Sequence, residues 1–211
     1  MIKAVFFDWD GTLCNSIPNI QKTYYLAEKE LGFSYTFEKF RLLIGIPTTE
    51  QAKAVMPEDP ERYVECYRRI YAGMGDDPAY PGAAEALGGV KALGVSLGIV
   101  SSKTRLSLTA AAERLGLLDL FDVMVCGGET ERSKPDPQPL RKALTLSGLE
   151  PGEALYVGDS FQDLMCARGA GVRVIAVTWG ARTRGELATQ SPDYLADSWE
   201  DLAEAVRSCI K

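Results

Sequence analysis

Two carboxylates close an apolar run near the start of the chain, in Lys3-Ala4-Val5-Phe6-Phe7-Asp8-Trp9-Asp10-Gly11-Thr12. A run of this length and composition predicts a buried strand. Strand side chains alternate, so Asp8 and Asp10 are expected to point the same way as the chain leaves the sheet. Two acids at such a place are costly unless a cation or a reaction uses them. Gly11 lets the backbone turn sharply and expose its N–H groups. The same residues also suit a plain strand followed by an Asp-Gly turn.

Three later apolar runs end in polar residues that suit phosphate or metal chemistry. Val95–Val100 runs into Ser101-Ser102-Lys103, whose hydroxyls and N–H groups could donate to a phosphate or simply cap a helix. In Ser133-Lys134-Pro135-Asp136-Pro137, Pro135 is expected to keep Lys134 extended and Asp136-Pro137 to cap the next helix. That leaves a compact ammonium on a stiffened loop, where it could meet a phosphoryl oxygen or water alone. Ala154–Val157 runs into Gly158-Asp159-Ser160-Phe161-Gln162-Asp163, which places Asp159 and Asp163 four residues apart, as on one helix face. Ser160-x-x-Asp163 also reads as a capping box.

Composition removes several alternatives. The 211 residues suit one α/β domain, or a core with a modest inserted subdomain. Lys and Arg total 23 against 29 Asp and Glu, a net charge of −6, which disfavours a partner made of nucleic acid. With no His, neither His-ligated zinc nor Ser-His-Asp catalysis is open, so proton transfer falls to carboxylates, Lys, Tyr or Cys. Cys14, Cys66, Cys126, Cys166 and Cys209 are scattered, as expected for reduced, buried thiols in a cytoplasmic protein. The first apolar run is too short for a signal peptide, and no later stretch is expected to enter a membrane.

The elements that must position these groups follow from periodicity. Ile17, Ile20, Tyr24, Ala27 and Leu31 form one helical stripe; Phe37, Phe40 and Ile44 suggest a second helix. Thr48-x-x-Gln51 predicts a capping box for a third helix, and Asp59-Pro60 opens a fourth. Residues 75–82 read as a linker. Beyond it, helix and strand alternate, with strands predicted at Val95–Val100, Val123–Cys126, Ala154–Val157, Val172–Val177 and near Tyr194. That alternation predicts an α/β fold, a doubly wound, parallel, Rossmann-like sheet with a helical cap inserted after the first strand. The expected division is a core of residues 1–15 and 81–211 and a cap of residues 16–80. Ligands of such sheets bind beyond the carboxyl ends of the strands.

The joint order of the four stations closely resembles the haloacid dehalogenase-like hydrolase superfamily over nearly the whole chain. Tyr80-Pro81-Gly82 and Gly94 through Lys103 are similar to its phosphoglycolate phosphatase-like branch. The resemblance implies a phosphatase acting on a small phosphorylated metabolite. Asp8 would be the nucleophile and form an aspartyl-phosphate. Asp10 would serve as general acid and then base. Mg²⁺ would sit on the Asp8 carboxylate, the Asp10 carbonyl and Asp159, with Asp163 supporting that shell. Gly11, Ser101, Ser102 and Lys134 would bind phosphate. Asn15-Ser16, where many relatives carry Asp-Ser, and Ser102, where Asn is frequent, leave substrate preference open.

Other readings are a β-phosphoglucomutase-like sugar-phosphate mutase, a pyrophosphatase or nucleotidase, or a silent phosphate-binding protein. A dehalogenase would need neither Asp10 nor the metal acids. In the cap, Gly45 is expected to face the core, with Arg41 and Thr48 nearest the substrate's non-phosphate end, although Arg41 also suits a solvated helix surface. Monomer and homodimer are both open.

Overall fold

The computed structural model describes residues 1–210. Its strands are β1 (Ala4–Phe7), β2 (Ser96–Thr104), β3 (Val123–Gly127), β4 (Ala154–Gly158), β5 (Arg173–Val177) and β6 (Tyr194–Ala196). They form one parallel sheet in the order β3-β2-β1-β4-β5-β6, a Rossmann-like α/β fold. β1 lies between β2 and β4, and the strand order reverses there, so a crevice opens beyond the carboxyl ends of β1 and β4.

Alternation along β1 feeds both faces of the sheet. Val5, Phe7 and Trp9 join an apolar cluster with Leu97, Ile99, Val157 and Ile175, whereas Ala4 and Phe6 join another with Val100, Tyr156 and Leu164. Both faces are therefore covered, which is why the strand reads as an unbroken apolar run. The covering helices are α5 (Ala83–Lys91), α6 (Arg105–Arg114), α7 (Gln138–Ser147), α8 (Phe161–Ala170), α9 (Arg184–Ala188) and α10 (Trp199–Ile210).

Between β1 and α5 lie α1 (Ile17–Leu31), α2 (Phe37–Arg41), α3 (Thr48–Val55) and α4 (Pro60–Ala72). They share a separate cluster built on Tyr24, Phe40, Tyr63 and Tyr67, with the Tyr24 and Phe40 rings 4.6 Å apart. Asp59 caps α4 by accepting from the Arg62 N–H, as its sequence predicts. The predicted Thr48–Gln51 box does not form. Pro47 is the N-cap of α3, and the Gln51 amide instead donates to the carbonyls of Leu43 and Ile46, pinning the loop before the helix.

β2 runs four residues past its predicted end, through an irregular register between Val100 and Thr104. The helix cap falls on Thr104, which accepts from Ser107, and not on Ser101 or Ser102. Lys134 lies in a turn with a cis peptide to Pro135, not in extended chain. α9 was not predicted. It is five residues long and contains Gly185, too short for a helical period to show, although its Thr183–Glu186 capping box is a local signal. The five cysteines are free and buried, and no described helix is long and apolar enough to cross a membrane.

Candidate active site

The carboxyl ends of β1 and β4 bring Asp8 and Asp159 together, and the first turn of α8 adds Asp163. Their carboxylates lie within 4.8 Å of one another, and all three are buried. Lys134 reaches into this group from the loop after β3. Its Nζ lies 2.7 Å from Asp8 Oδ1, 2.7 Å from Asp163 Oδ1 and 3.2 Å from the Tyr156 hydroxyl. All three ammonium donors are thus committed, so Lys134 backs Asp8 instead of projecting a free charge toward a phosphate. Burial disfavours the Lys134 ammonium, but Asp163 and Asp8 outweigh it and hold its pKa above the ordinary lysine value. Burial pushes Asp8 well above the usual carboxylate range, with Lys134 pulling the other way.

Asp163 is engaged at both of its oxygens. Oδ1 takes Lys134 and Tyr156, and Oδ2 takes the backbone and hydroxyl of Ser160 in a complete capping box. Asp159 precedes the helix, so the two acids do not share a helix face; the turn between them brings their carboxylates together. The Thr12 hydroxyl donates to Asp159 Oδ1 and the Ala181 N–H to Oδ2. Burial and then Asp163 push Asp159 up to about 7.

Gly11 has a different part from the predicted one. Its N–H donates to the Cys14 carbonyl, so it is not free for a phosphate. It sits at φ +86°, and a Cβ there would meet Asp159 Oδ2 at 2.3 Å. Glycine is needed both for the turn and for the close approach of that carboxylate. The donor set fits a divalent cation: three buried carboxylates face one ammonium, which leaves two uncompensated charges if all ionise. Hard oxygen donors of this kind suit Mg²⁺.

Asp10 stands apart from this cluster. Its Oδ1 lies 2.9 Å from Lys103 Nζ, which in turn lies 5.5 Å from the centre of the Tyr71 ring on α4. Asp8 and Asp10 both open onto a cavity of about 720 Å³ between the sheet and the helical block. Ser101, Ser102, Gly45 and Thr48 also line it. Ser101 Oγ accepts from the Lys103 N–H, which leaves its own proton free for an oxyanion. Ser102 donates instead to the Gly45 carbonyl at 2.6 Å, and so ties β2 to the cap loop; its hydroxyl proton is not free for phosphate.

Arg41 does not line the cavity. It forms a two-pronged pair with Glu186 of α9 at 2.6 and 3.0 Å and donates to the Ala181 carbonyl. The nearby segment also carries Arg182, which is buried against the Phe161 ring with no hydrogen-bond partner among the described residues. Sequence reasoning missed the parts played by Thr12, Lys103, Tyr156 and Ala181. Lys103 directly follows two singled-out serines and Thr12 closes the singled-out run after β1, so both carried a local signal; no local pattern marks the contacts of Tyr156 and Ala181.

A parallel sheet with buried acids at the ends of β1 and β4 and a cavity above them defines an α/β protein with an acidic site beyond its strand ends. Residues 5–177 match the family of haloacid dehalogenase-like hydrolases. The chain is 31% identical over 204 residues to pyrophosphatase PpaX of Bacillus mycoides, across 95% of each protein. The haloacid dehalogenase-like family hydrolase from Streptococcus pneumoniae superposes with a TM-score of 0.84 at 26% identity, covering 97% of this chain and 98% of that one. A structure described as a predicted phosphoglycolate phosphatase from Haemophilus somnus gives 0.80 at 25% identity, covering 97% of both. The chain belongs to the haloacid dehalogenase-like hydrolases.

Proposed function

We propose that this protein is a Mg²⁺-dependent phosphatase that hydrolyses a small phosphomonoester through an aspartyl-phosphate on Asp8, with phosphoglycolate the leading substrate. The observation that carries this reading is that Asp8, backed by Lys134 and beside Asp159 and Asp163, opens onto the same cavity as Asp10. An Asp8 oxygen attacks phosphorus as the bond to the leaving oxygen breaks, and Asp10 supplies that oxygen with a proton. Water then attacks the phosphoryl group and gives a proton to Asp10. The bond to Asp8 breaks, and inorganic phosphate leaves. Ser101 donates to a phosphoryl oxygen, and Lys134 holds the Asp8 carboxylate in line. Asp8, the Asp10 carbonyl and Asp159 would hold Mg²⁺, with Asp163 fixing Lys134 and Ser160 around them. When bound, the cation offsets the negative charge that otherwise repels a phosphate dianion.

Residues 16–80 act as a lid over a core of residues 1–15 and 81–211, shutting bulk water away from the phosphoenzyme. The resemblance to PpaX favours a second reading, hydrolysis of inorganic pyrophosphate by the same chemistry. The test is phosphate release from phosphoglycolate, pyrophosphate, a nucleoside monophosphate, a hexose phosphate and a phosphopeptide, with wild type and Asp8→Asn. One of the small compounds is expected to be the best substrate, and Asp8→Asn to lose activity by about a thousandfold or more while keeping its fold. Substantial turnover by Asp8→Asn would remove the phosphoenzyme. A phosphopeptide preferred to every small compound would remove the lid, and sugar-phosphate interconversion without release would make the protein a mutase.

A further inference from the structure

Arg68 on α4 is exposed and lines the same cavity as Asp8 and Asp10. Among the described residues it makes no ion pair, unlike the cations around it. Lys103 is committed to Asp10, Lys134 to Asp8 and Asp163, Arg69 to Glu30 and Arg41 to Glu186. Arg68, Tyr71 and Ala72 fall at i, i+3 and i+4, so they share one face of α4, and all three line the cavity.

Tyr71 fixes where that face looks. Its ring lies against Lys103 Nζ at 5.5 Å, and its hydroxyl donates to Asp77. Because Lys103 holds Asp10, the face that carries Arg68 is turned toward the Asp10 side of the cavity, where a leaving group must stand. The helical block's other contributions to the wall are uncharged, from Ile20, Ile44, Ile46 and Pro47 to Thr48 and Thr49. A substrate with a second negative charge would meet two acids at the cavity floor and needs a counter-charge at the other end. Arg68 is the uncommitted cation there, and a guanidinium binds carboxylate and phosphoryl oxygens in a two-pronged fashion.

We propose that Arg68 determines specificity by binding a second oxyanion on the substrate, so that phosphorylated acids or pyrophosphate are preferred to esters with a neutral far end. This rests on the reading of the site as a small-phosphate phosphatase. It assigns to Arg68 the task that the sequence suggested for Arg41.

The experiment compares kcat/KM for phosphoglycolate, pyrophosphate and 2-hydroxyethyl phosphate in wild type, Arg68→Gln and Arg68→Lys. Circular dichroism and melting serve as fold controls. The ratio of a doubly charged substrate to the neutral-ended one is expected to fall about 10- to 100-fold in Arg68→Gln, mostly through KM, and to recover partly in Arg68→Lys. Loss for phosphoglycolate alone identifies the second oxyanion as a carboxylate, and loss for pyrophosphate alone as a phosphoryl group. An unchanged ratio overturns the proposal. If wild type hydrolyses none of the three, the phosphatase reading fails separately, and calorimetric binding of phosphoglycolate and pyrophosphate then decides. Weaker binding by Arg68→Gln supports the oxyanion site, and equal binding overturns it.

Discussion

Lys103 and Asp10, 93 residues apart in the chain, form an ion pair of 2.9 Å at the cavity edge. Burial works against the Lys103 charge, but Asp10 outweighs it and raises the lysine pKa. Each of the two acids after β1 therefore has its own ammonium, Asp8 with Lys134 and Asp10 with Lys103. For Asp10 to deliver a proton, this pair has to loosen, and an arriving phosphate dianion offers Lys103 another partner.

Asp10→Asn is accordingly expected to slow alkyl phosphate esters by about 10²- to 10⁴-fold and p-nitrophenyl phosphate far less. A phenolate with a good leaving oxygen needs little proton assistance. Single-turnover phosphoenzyme formation with both esters checks this. Equal slowing would mean that Asp10 acts only by positioning Lys103.

The three-acid cluster predicts a metal requirement. Chelation is expected to stop turnover, Mg²⁺ to restore it, and Ca²⁺ to fail because its larger, looser oxygen shell spoils in-line geometry. Mg²⁺ at a hundred times its Kd should also stabilise the fold by about 2.7 kcal/mol, seen as a rise in Tm, by linkage. Equal rates with Ca²⁺, or a Tm that ignores Mg²⁺, would remove the cation from this site.

Glu186 predicts a pH effect. Its hydrogen bonds to Arg41 lead the causes that pull its carboxyl down to about 2 from 4.5. A depressed carboxyl stabilises the fold above its unfolded pKa, and that contribution disappears as pH falls from 4.5 toward 2. Both side chains are about a third exposed, so the pair contributes about 1 kcal/mol or less. Urea midpoints should place wild type above Glu186→Gln at neutral pH, with the gap closing across that acid window. A gap that persists at the acid end would point to packing and not to the charge.

Arg182 is 1% exposed, and its guanidinium carbon lies 4.6 Å from the centre of the Phe161 ring. Burial, then Arg41, depresses its pKa. A desolvated cation–π contact contributes about 2 kcal/mol, whereas desolvating an unpaired cation costs several. Arg182→Met keeps the stem packing and removes the charge, so it should hold or raise stability, by about 1–3 kcal/mol. Destabilisation by more than about 1 kcal/mol in urea titration would show that water or an anion serves the guanidinium.

The sequence by itself determined the parallel sheet, the helical block and most of the acids of the site, because these follow from local pattern. Apolar runs and helical stripes mark the elements, and a buried strand that ends in Asp8 or Gly158-Asp159 declares its polar end within a few residues. Only the tertiary structure decided the partners. Ser102 was expected on phosphate and holds Gly45; Thr48 was expected to cap α3, yet Pro47 stands at its N-cap. Arg41, a candidate for the substrate's far end that also suited a helix surface, holds Glu186, whereas Arg68, with no motif around it, lines the cavity. The physical reason is that an acid's place at a strand end is set by the strand, whereas the partner of a long cationic side chain is set by how the helical block packs against the sheet. That packing brings together residues more than a hundred positions apart, such as Arg41 and Glu186, which no local period encodes.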